Sequence, residues 1–386
     1  MNNIAGNKSA LTWIVHLSVL ALVLMWLFPT VGLFVSSFRT ADQISGSGWW
    51  ASLTDSESIV QARTGGKDAA ILDNGLYVVE GNLLTDNDDV RPDLALSAFG
   101  ISSRAIGVYK IGEMAEFSDG EESLQLNADG SYRYTSVEEP GRRGQRVFLT
   151  ATTPPEFTLN NYKTILFSGT GQDNMAKAFF NTLTVTIPAT IIPIVVAAFA
   201  AYALAWMEFP GRAILVAIVV GLLVVPLQLA LIPLLRLHLD IGIGKGYLGV
   251  WLAHTAFGLP LAIYLLRNYM VGLPRDIIEN ARVDGATDFQ IFTKIILPLS
   301  FPALASFAIF QFLWTWNDLL VAKVFLIDST GSTTVMTNQI VELLGTRGGN
   351  WEILATAAFV SIAVPLVVFF AMQRYLVRGL LAGSVK

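Results

Sequence analysis

The chain of 386 residues contains no cysteine and only three histidines. Without cysteine, disulfides, reactive thiolates and zinc sites built on thiolates are excluded. His16, His238 and His254 lie on different segments, so the sequence predicts neither a metal site nor a catalytic triad. The G-x-x-x-x-G-K-[ST] loop that holds nucleotide phosphates is absent too, so we expect this chain to hydrolyse no ATP by itself.

Charge is also scarce. Charged residues make up 14% of the chain and hydrophobic residues 53%, whereas roughly a quarter of an average soluble protein is charged. Residues 40–175 hold 20 of the 30 acidic residues but only 10 of the 25 basic ones. This distribution indicates an acidic, water-exposed insert within an apolar membrane protein, and it predicts no nucleic-acid partner.

Six apolar segments reach the length of about 20 residues that a helix needs to cross a bilayer. The first is longer than the apolar core of a signal peptide and lacks a convincing cleavage site, so we expect it to be retained. The sequence therefore predicts an all-α polytopic membrane protein with six transmembrane helices and the lipid bilayer as its surroundings. The segments are residues 11–37, 177–206, 212–235, 247–270, 299–326 and 353–376.

Basic residues near the ends of these segments favour one orientation. With the N-terminus inside, nine Lys and Arg residues face the cytoplasm and four lie in outer loops. Cytoplasmic loops carry the excess of positive charge in membrane proteins. We therefore expect cytoplasmic termini, including the tail 377–386, a five-helix core at 177–376 and an external insert at 40–175.

The insert has the pattern of a small, mostly β domain. Short β-type runs occur at 76–79, 106–109, 123–126 and 132–134, with turn signals at 73–75 and 127–130. Residues 41–70 are rich in Ser, Gly and Ala, and we expect a loose linker there.

Residues 273–298, between the fourth and fifth segments, predict two short helices joined by a corner. Gly285 can adopt the left-handed conformation that ends the first helix. Thr287 and Gln290 have the spacing of a capping box that starts the second. From this pattern alone, the segment could also be an amphipathic loop on the membrane surface. The predicted apolar face consists of Ile277, Ala281, Phe289, Phe292, Ile295 and Ile296.

Residue by residue, this segment resembles the EAA loop of ABC importer permeases, and we call it the coupling loop. Asn280 departs from the pattern, which has alanine there. The chain also resembles the carbohydrate (maltose-type) permeases at residues 157–162, 181–183, 200–204, 316–318 and 373–386. The presence of the insert, together with the tail, most resembles the alpha-glucoside importer permeases. The matching positions in the loop are Glu279, Ala281, Asp284, Gly285, Ala286, Ile295, Leu297 and Pro298.

The resemblance implies a type I permease fold in the bacterial inner membrane and a division of labour among subunits. Two unlike permease subunits would form the pathway, and a periplasmic binding protein would deliver the sugar. Two ATPase subunits would bind ATP and Mg and receive the coupling loop, so this chain would be no enzyme and bind no cofactor. We predict transport of alpha-glucosides such as maltose, trehalose or sucrose, and another carbohydrate is the alternative.

Polar residues in the fifth segment have two interpretations. Gln311, Trp314 and Asn317 are spaced by three and could line a sugar pathway through stacking and amide hydrogen bonds. The interpretation that we favour is that they make interhelical hydrogen bonds and an interfacial tryptophan. A secondary transporter driven by an ion gradient is the alternative from another class, and it would have inverted repeats and buried acid or His relays. The sequence shows no clear repeat, and its only deep candidate acid, Asp318, lies near the interface.

Overall fold

The computed structural model describes residues 10–87, 94–117, 120–167, 174–326, 330–346 and 348–381. The end of the predicted tail, 382–386, lies outside these ranges. Two compact units make up the chain. One is Met1–Asn161 with Asn350–Ala355, and the other is Tyr162–Gly349 with Thr356–Lys386.

The first unit combines a long helix with two antiparallel sheets. Helix α1 (Ala10–Ser36) is followed by the short helix α2 (Ala41–Gly46) and a 3-10 turn at Trp49–Ala51. A second 3-10 turn lies at Lys67–Ala69. The strands are β1 (Ser56–Arg63), β2 (Ile71–Asp73), β3 (Leu76–Asn82), β4 (Ala95–Gly100), β5 (Tyr109–Lys110), β6 (Met114–Phe117), β7 (Glu122–Leu126), β8 (Ser131–Ser136) and β9 (Arg146–Thr153).

The predicted β-rich insert is confirmed. The strands are ordered β1-β9-β4-β5 in one sheet and β2-β3-β8-β7-β6 in the other. Asn74 and Gly75 form the two-residue turn between β2 and β3, both with positive φ, as a type I′ hairpin requires. The core between the strands includes Val79, Leu124 and Leu149, which are fully buried.

One buried tyrosine shows how this core accommodates polar groups. The Tyr134 hydroxyl donates a hydrogen bond of 2.8 Å to the Glu122 carboxylate on the neighbouring strand. Burial, together with this acidic partner, raises the pKa of Tyr134 to about 12. The phenol therefore stays protonated and keeps its donor role throughout the physiological range.

The expectation of a loose linker at 41–70 is wrong. Strand β1 pairs with β9 along its whole length, from Ser56 with Thr153 to Arg63 with Arg146. Small residues fit this strand and the turns around it, and composition alone does not reveal a partner about 90 residues away in the chain. The predicted run at 106–109 is mostly turn, because only Tyr109 of that run lies in β5.

Truncating a core residue should open the insert. We expect Leu124→Ala to destabilise it by about 2–5 kcal/mol, because the removed side chain leaves a cavity in a close-packed interior. Leu72→Ala is the matched control: its side chain is exposed, so the change should stay within about 0.5 kcal/mol. Limited proteolysis of the full-length protein should cleave the insert faster in the first variant, and equal cleavage rates would contradict this assignment of the core.

The second unit consists of helices. They are α3 (Asn160–Phe167), α4 (Met175–Trp206), α5 (Arg212–Leu222), α6 (Leu227–Asp240), α7 (Tyr247–Val271), α8 (Arg275–Val283), α9 (Asp288–Ile291), α10 (Leu297–Leu299), α11 (Phe301–Trp316), α12 (Leu320–Phe325), α13 (Met336–Thr346) and α14 (Trp351–Leu381). A π-helical turn, Phe292–Ile296, lies between α9 and α10.

Within the described ranges, α1, α4, α7 and α14 are each long and apolar enough to cross a bilayer. Two further pairs reach that length only as bent units. The pair α5–α6 is bent by 110°, and Asp288–Leu299 meets α11 at 70°. A helical membrane fold is confirmed, with four spans, or up to six if each bent pair counts as one.

Two predicted spans are divided for identifiable reasons. In the third, α5 ends at Leu222 and α6 begins after Pro226, because proline disfavours a helical conformation in the residue before it. In the fifth, α11 ends at Trp316 and the carboxylate of Asp318 accepts the amide hydrogens of Val321 and Ala322 at the start of α12. A hydropathy pattern detects the apolar length but not these breaks.

Helices α4 and α7 form the centre of this unit. Their most extensive contacts are with each other, and α11 adds to the same core. Ala197, Ala201 and Ala262 are fully buried there, since small side chains let helices approach closely in a membrane. Because α7 leads directly into the coupling loop, this pair also positions that loop.

Candidate functional site

The corner of the coupling loop has a complete Schellman geometry. Gly285 has φ +82°, and its amide donates to the Arg282 carbonyl at 3.0 Å. The Ala286 amide donates to the Ala281 carbonyl at 2.9 Å. These two bonds satisfy carbonyls that the end of α8 would otherwise leave free, and they confirm the predicted helix-ending conformation of Gly285.

The predicted capping box is confirmed as well. The amide of Gln290 donates to the Thr287 hydroxyl oxygen, while the amide of Thr287 donates to the Gln290 side-chain oxygen at 2.9 Å. The capping box thereby gives partners to two backbone amides that the start of α9 would otherwise leave free. The corner is therefore fixed on both sides by local hydrogen bonds.

In each short helix, one residue of the predicted apolar face is exposed, and an isoleucine outside the prediction is buried instead. Ile278 is 2% exposed while Ile277 is 40% exposed, and Ile291 is buried while Phe289 is 66% exposed. The left-handed residue between the helices turns the second one relative to the first. A periodic pattern within each helix cannot specify that rotation.

A π-helical turn connects the loop to the next long helix. The amide of Leu297 donates to the Phe292 carbonyl, five residues earlier, rather than to a carbonyl four earlier. Pro298 follows directly; proline lacks an amide hydrogen and its ring clashes with the carbonyl four residues before it. The wider turn accommodates this proline, and the 70° bend at Ser300 comes immediately after.

One side of the loop is tied to the end of α4. The Phe292 ring lies 4.7 Å from that of Phe199 and 5.2 Å from that of Tyr202. The Tyr202 hydroxyl donates to the Asp288 carboxylate at 3.2 Å, and the Arg282 guanidinium lies 3.4 Å from the same oxygen. Movement of the loop would therefore be transmitted to α4 through packed rings and hydrogen bonds.

The other side of the loop is exposed. Val283 is 87% exposed, and Phe289 and Ile277 also present apolar surface. Exposed apolar side chains surrounded by charged ones are typical of a protein-interaction surface. The exposed polar members of the predicted site are Glu279, Asn280 and Asp284. Pro298 is exposed as well, and the half-buried members are Ala281, Ala286, Ile295 and Leu297.

The three predicted pathway residues of α11 do not share one surface. Gln311 is 1% exposed, and its amide donates to the carbonyls of Ala189 and His254. It thus bridges α4, α7 and α11. Trp314 and Asn317 instead line an open cavity of about 580 Å³ next to the break between α5 and α6. The sequence spacing grouped residues that the helix directs to different faces.

The sequence did not predict the role of Gln228 or the pairing of Asp318 with His254. Gln228, in the first turn of α6, lines the same cavity as Trp314 and Asn317; a polar residue just after a proline break was the available signal. His254 and Asp318 are both buried, with Nε2 and Oδ2 3.7 Å apart. Only the fold brings that pair together. Among the described residues, no group of three potential metal ligands occurs.

Residues 173–381 match the family described as "Binding-protein-dependent transport system inner membrane component". The chain belongs to this family. The Alpha-glucoside transport system permease protein AglG of Rhizobium meliloti (strain 1021) is 60% identical over 387 residues, which cover 99% of both chains. The Osmoprotective compounds uptake permease protein GgtD of Synechocystis sp. (strain ATCC 27184 / PCC 6803 / Kazusa) is 58% identical over 231 residues, 60% of this chain and 76% of that protein.

Solved structures are similar to part of this chain. A chain in the crystal structure of a bacterial ABC transporter involved in the import of the acidic polysaccharide alginate is 22% identical, with a TM-score of 0.47. It covers 57% of this chain and 81% of its own length. The prediction of an ABC importer permease is confirmed by the family membership and by the relative matched over 99% of both chains.

Removing the cap of this permease's coupling loop should loosen α9. We expect Thr287→Ala to cost about 1 kcal/mol, because the Gln290 amide loses its acceptor. Hydrogen exchange of the Gln290 and Ile291 amides should accelerate roughly fivefold at that cost. Thr293→Ala is the control, since the Thr293 hydroxyl only donates back to the Phe289 carbonyl. Equal exchange in the two variants would contradict the capping role.

Proposed function

We propose that this chain is the permease subunit of an ATP-driven importer for alpha-glucosides. The observation that carries the proposal is the 60% identity to a permease named for alpha-glucoside transport, which extends across the insert because it covers 99% of both chains. The match to the permease named for osmoprotective compounds is nearly as close but spans only 231 residues. Similarity of the helical core alone therefore does not separate the two solutes.

The transported solute is tested with the assembled transporter in proteoliposomes. With the cognate binding protein outside and ATP inside, we expect saturable uptake of labelled maltose, trehalose or sucrose. A non-sugar osmolyte such as glycine betaine is the control. Uptake of the osmolyte but of none of the sugars would overturn the alpha-glucoside assignment while leaving the permease assignment intact.

The proposed assembly contains a second, non-identical permease subunit, two ATPase subunits that bind ATP and Mg, and a periplasmic binding protein. The chain would form six spans, counting each bent pair as one, with the sequence-based segments 11–37 and 177–376 in the bacterial inner membrane. Insert 40–175 would lie outside, and both termini, with the tail 377–386, inside. The excess of basic residues at the inner ends supports this topology.

Within this assembly the coupling loop is the docking site for an ATPase. Its exposed side offers Val283 and Phe289 to a partner, with Glu279, Asn280 and Asp284 beside them. Its buried side transmits movement to α4 through Phe292. Because the loop is exposed on one side and packed on the other, it is suited to transmitting a movement of the ATPase to the transmembrane helices. A separate ATPase would supply all nucleotide chemistry.

The corner of this loop provides a sharp test. A Cβ at Gly285 would meet no atom of this chain within 4 Å, so the strain that a substitution introduces within the chain arises from the backbone. The left-handed conformation costs ordinary residues about 1–2 kcal/mol, and asparagine tolerates it better. We expect Gly285→Val to lose most transport while still inserting in the membrane, and Gly285→Asn to retain most of it. ATP-dependent uptake and membrane abundance are the measurements, and full transport in Gly285→Val would overturn the mechanism.

We further propose that the cavity beside the α5–α6 break lines part of the sugar pathway. Its volume of about 580 Å³ lies in the range of small-molecule sites, about 300–1,000 Å³. Trp314 could stack on a sugar ring, and Asn317 and Gln228 could hydrogen-bond its hydroxyls. Gln311 serves this pathway indirectly, because its hydrogen bonds hold three helices together.

Substitutions in this cavity should weaken sugar transport. Each lost neutral hydrogen bond is worth about 0.5–1.5 kcal/mol, so Gln228→Ala should raise the transport KM roughly twofold to tenfold. Trp314→Ala should raise it as well. Leu229→Ala is the control, because this neighbour is 74% exposed and does not line the cavity. An unchanged KM in both cavity variants would remove this surface from the pathway.

A further inference from the structure

The surface of α1 marks where the bilayer ends on the side of the insert. From Leu11 to Phe28 its apolar side chains are largely exposed. At 1.5 Å per residue these positions span about 26 Å, close to the hydrocarbon thickness of about 30 Å. Gly32, one turn further on, is the first buried residue of the helix. The bare part of α1 therefore matches the hydrocarbon core, and its covered part begins at the boundary.

What covers α1 at this boundary is a turn that folds back along it. We call Trp49–Ala51 the tryptophan turn. The Trp49 ring lies 4.7 Å from the Phe28 ring, and the Trp50 ring lies 6.3 Å from it. A Cβ at Gly32 would come within 2.7 Å of the Trp49 indole nitrogen. The absence of a side chain at Gly32 thus lets the turn lie directly against α1.

Hydrogen bonds made by the buried Arg39 and by its neighbours hold the tryptophan turn against α1. The guanidinium of Arg39, only 2% exposed, donates to the carbonyls of Gln43 and Ser47 at 2.6 and 3.0 Å. The amide of Asn161 donates in turn to the carbonyls of Ser37 and Arg39. Burial lowers the pKa of Arg39 from its usual value. These hydrogen bonds therefore fix the direction in which the chain turns back along α1.

The outer side of the tryptophan turn remains uncovered. Trp50 is 71% exposed, and Leu53 beyond it is 79% exposed. An indole combines a large apolar ring with one N–H donor, which is why tryptophan concentrates where hydrocarbon meets headgroups. The exposed Trp50 ring also adjoins the exposed apolar surface of α1, a helix long enough to cross the bilayer. Lipid is the occupant that covers both.

We propose that the tryptophan turn is an interfacial anchor, which binds the headgroup–acyl boundary of the leaflet on the side of the insert through Trp50. The anchor fixes the depth of α1 in the bilayer. It also holds the start of β1, at Ser56, close to the membrane surface. The proposal rests on α1 crossing the bilayer, not on the identity of the transported solute.

Because the chain has no cysteine, single spin labels can measure the depth of chosen residues. We would label Trp50→Cys in the assembled transporter in lipid vesicles. Leu24→Cys on bare α1 is the reference for hydrocarbon, and Asp73→Cys at the exposed β2–β3 turn is the reference for water. Collisions with oxygen, which dissolves in lipid, and with a water-soluble nickel chelate are measured by electron paramagnetic resonance.

At position 50 we expect nickel accessibility several-fold below that at position 73 and several-fold above that at position 24, with oxygen accessibility between the two. Nickel accessibility equal to that at position 73 would overturn the proposal, because the turn would then lie in water. Low accessibility to both reagents would overturn the assignment to lipid in favour of a neighbouring subunit.

A second measurement keeps an aromatic ring at position 50 in both proteins. We would compare tryptophan quenching by brominated lipids in the wild type and in Trp50→Phe. The emission lost in the variant should belong to a component quenched strongly by bromine near the lipid carbonyl and weakly by bromine at mid-chain. A component that neither lipid quenches, or that the mid-chain bromine quenches more, would contradict the anchor independently of the labelled variant.

Discussion

The packing of the Phe292 ring against Phe199 and Tyr202 ties the coupling loop to the transmembrane helices, and the rest of the functional architecture depends on it. The loop itself is short, and its helices would be marginal alone. Its shape persists because the buried side joins a core formed by α4, α7 and α11. An exposed surface on a rigid support can transmit force, whereas the same surface on a free loop could not.

Breaks in the helices follow a consistent physical rule. In a membrane, each interrupted helix must find partners for the backbone groups it frees. Asp318 caps the amides at the start of α12, and its own carbonyl accepts from the Thr337 hydroxyl. The Gln311 side chain bonds to carbonyls of two neighbouring helices. Polar residues in this apolar unit thus satisfy the backbone groups that the helix breaks leave free.

The insert is stabilised in a different way from the helical unit, because it has a hydrophobic core of its own. Alternating inward residues of two antiparallel sheets form that core, so it does not need the helices to bury its apolar side chains. Its acidic surface is suited to contact with water. The domain adjoins α1 at the tryptophan turn, where the hydrogen bonds of Arg39 hold the chain folded back on itself.

The sequence by itself determined the features that depend on local spacing and composition. These include the apolar segments, the β runs of the insert, the Gly285 corner, the Thr287 cap and the family resemblance of the coupling loop. Tertiary structure decided what depends on partners far apart in the chain. Only the fold shows that β1 pairs with β9, that Ile278 rather than Ile277 faces the core, and that Gln311 and Trp314 diverge. Periodicity gives the spacing of side chains on a helix, but the direction each one faces is set by the neighbours it packs against.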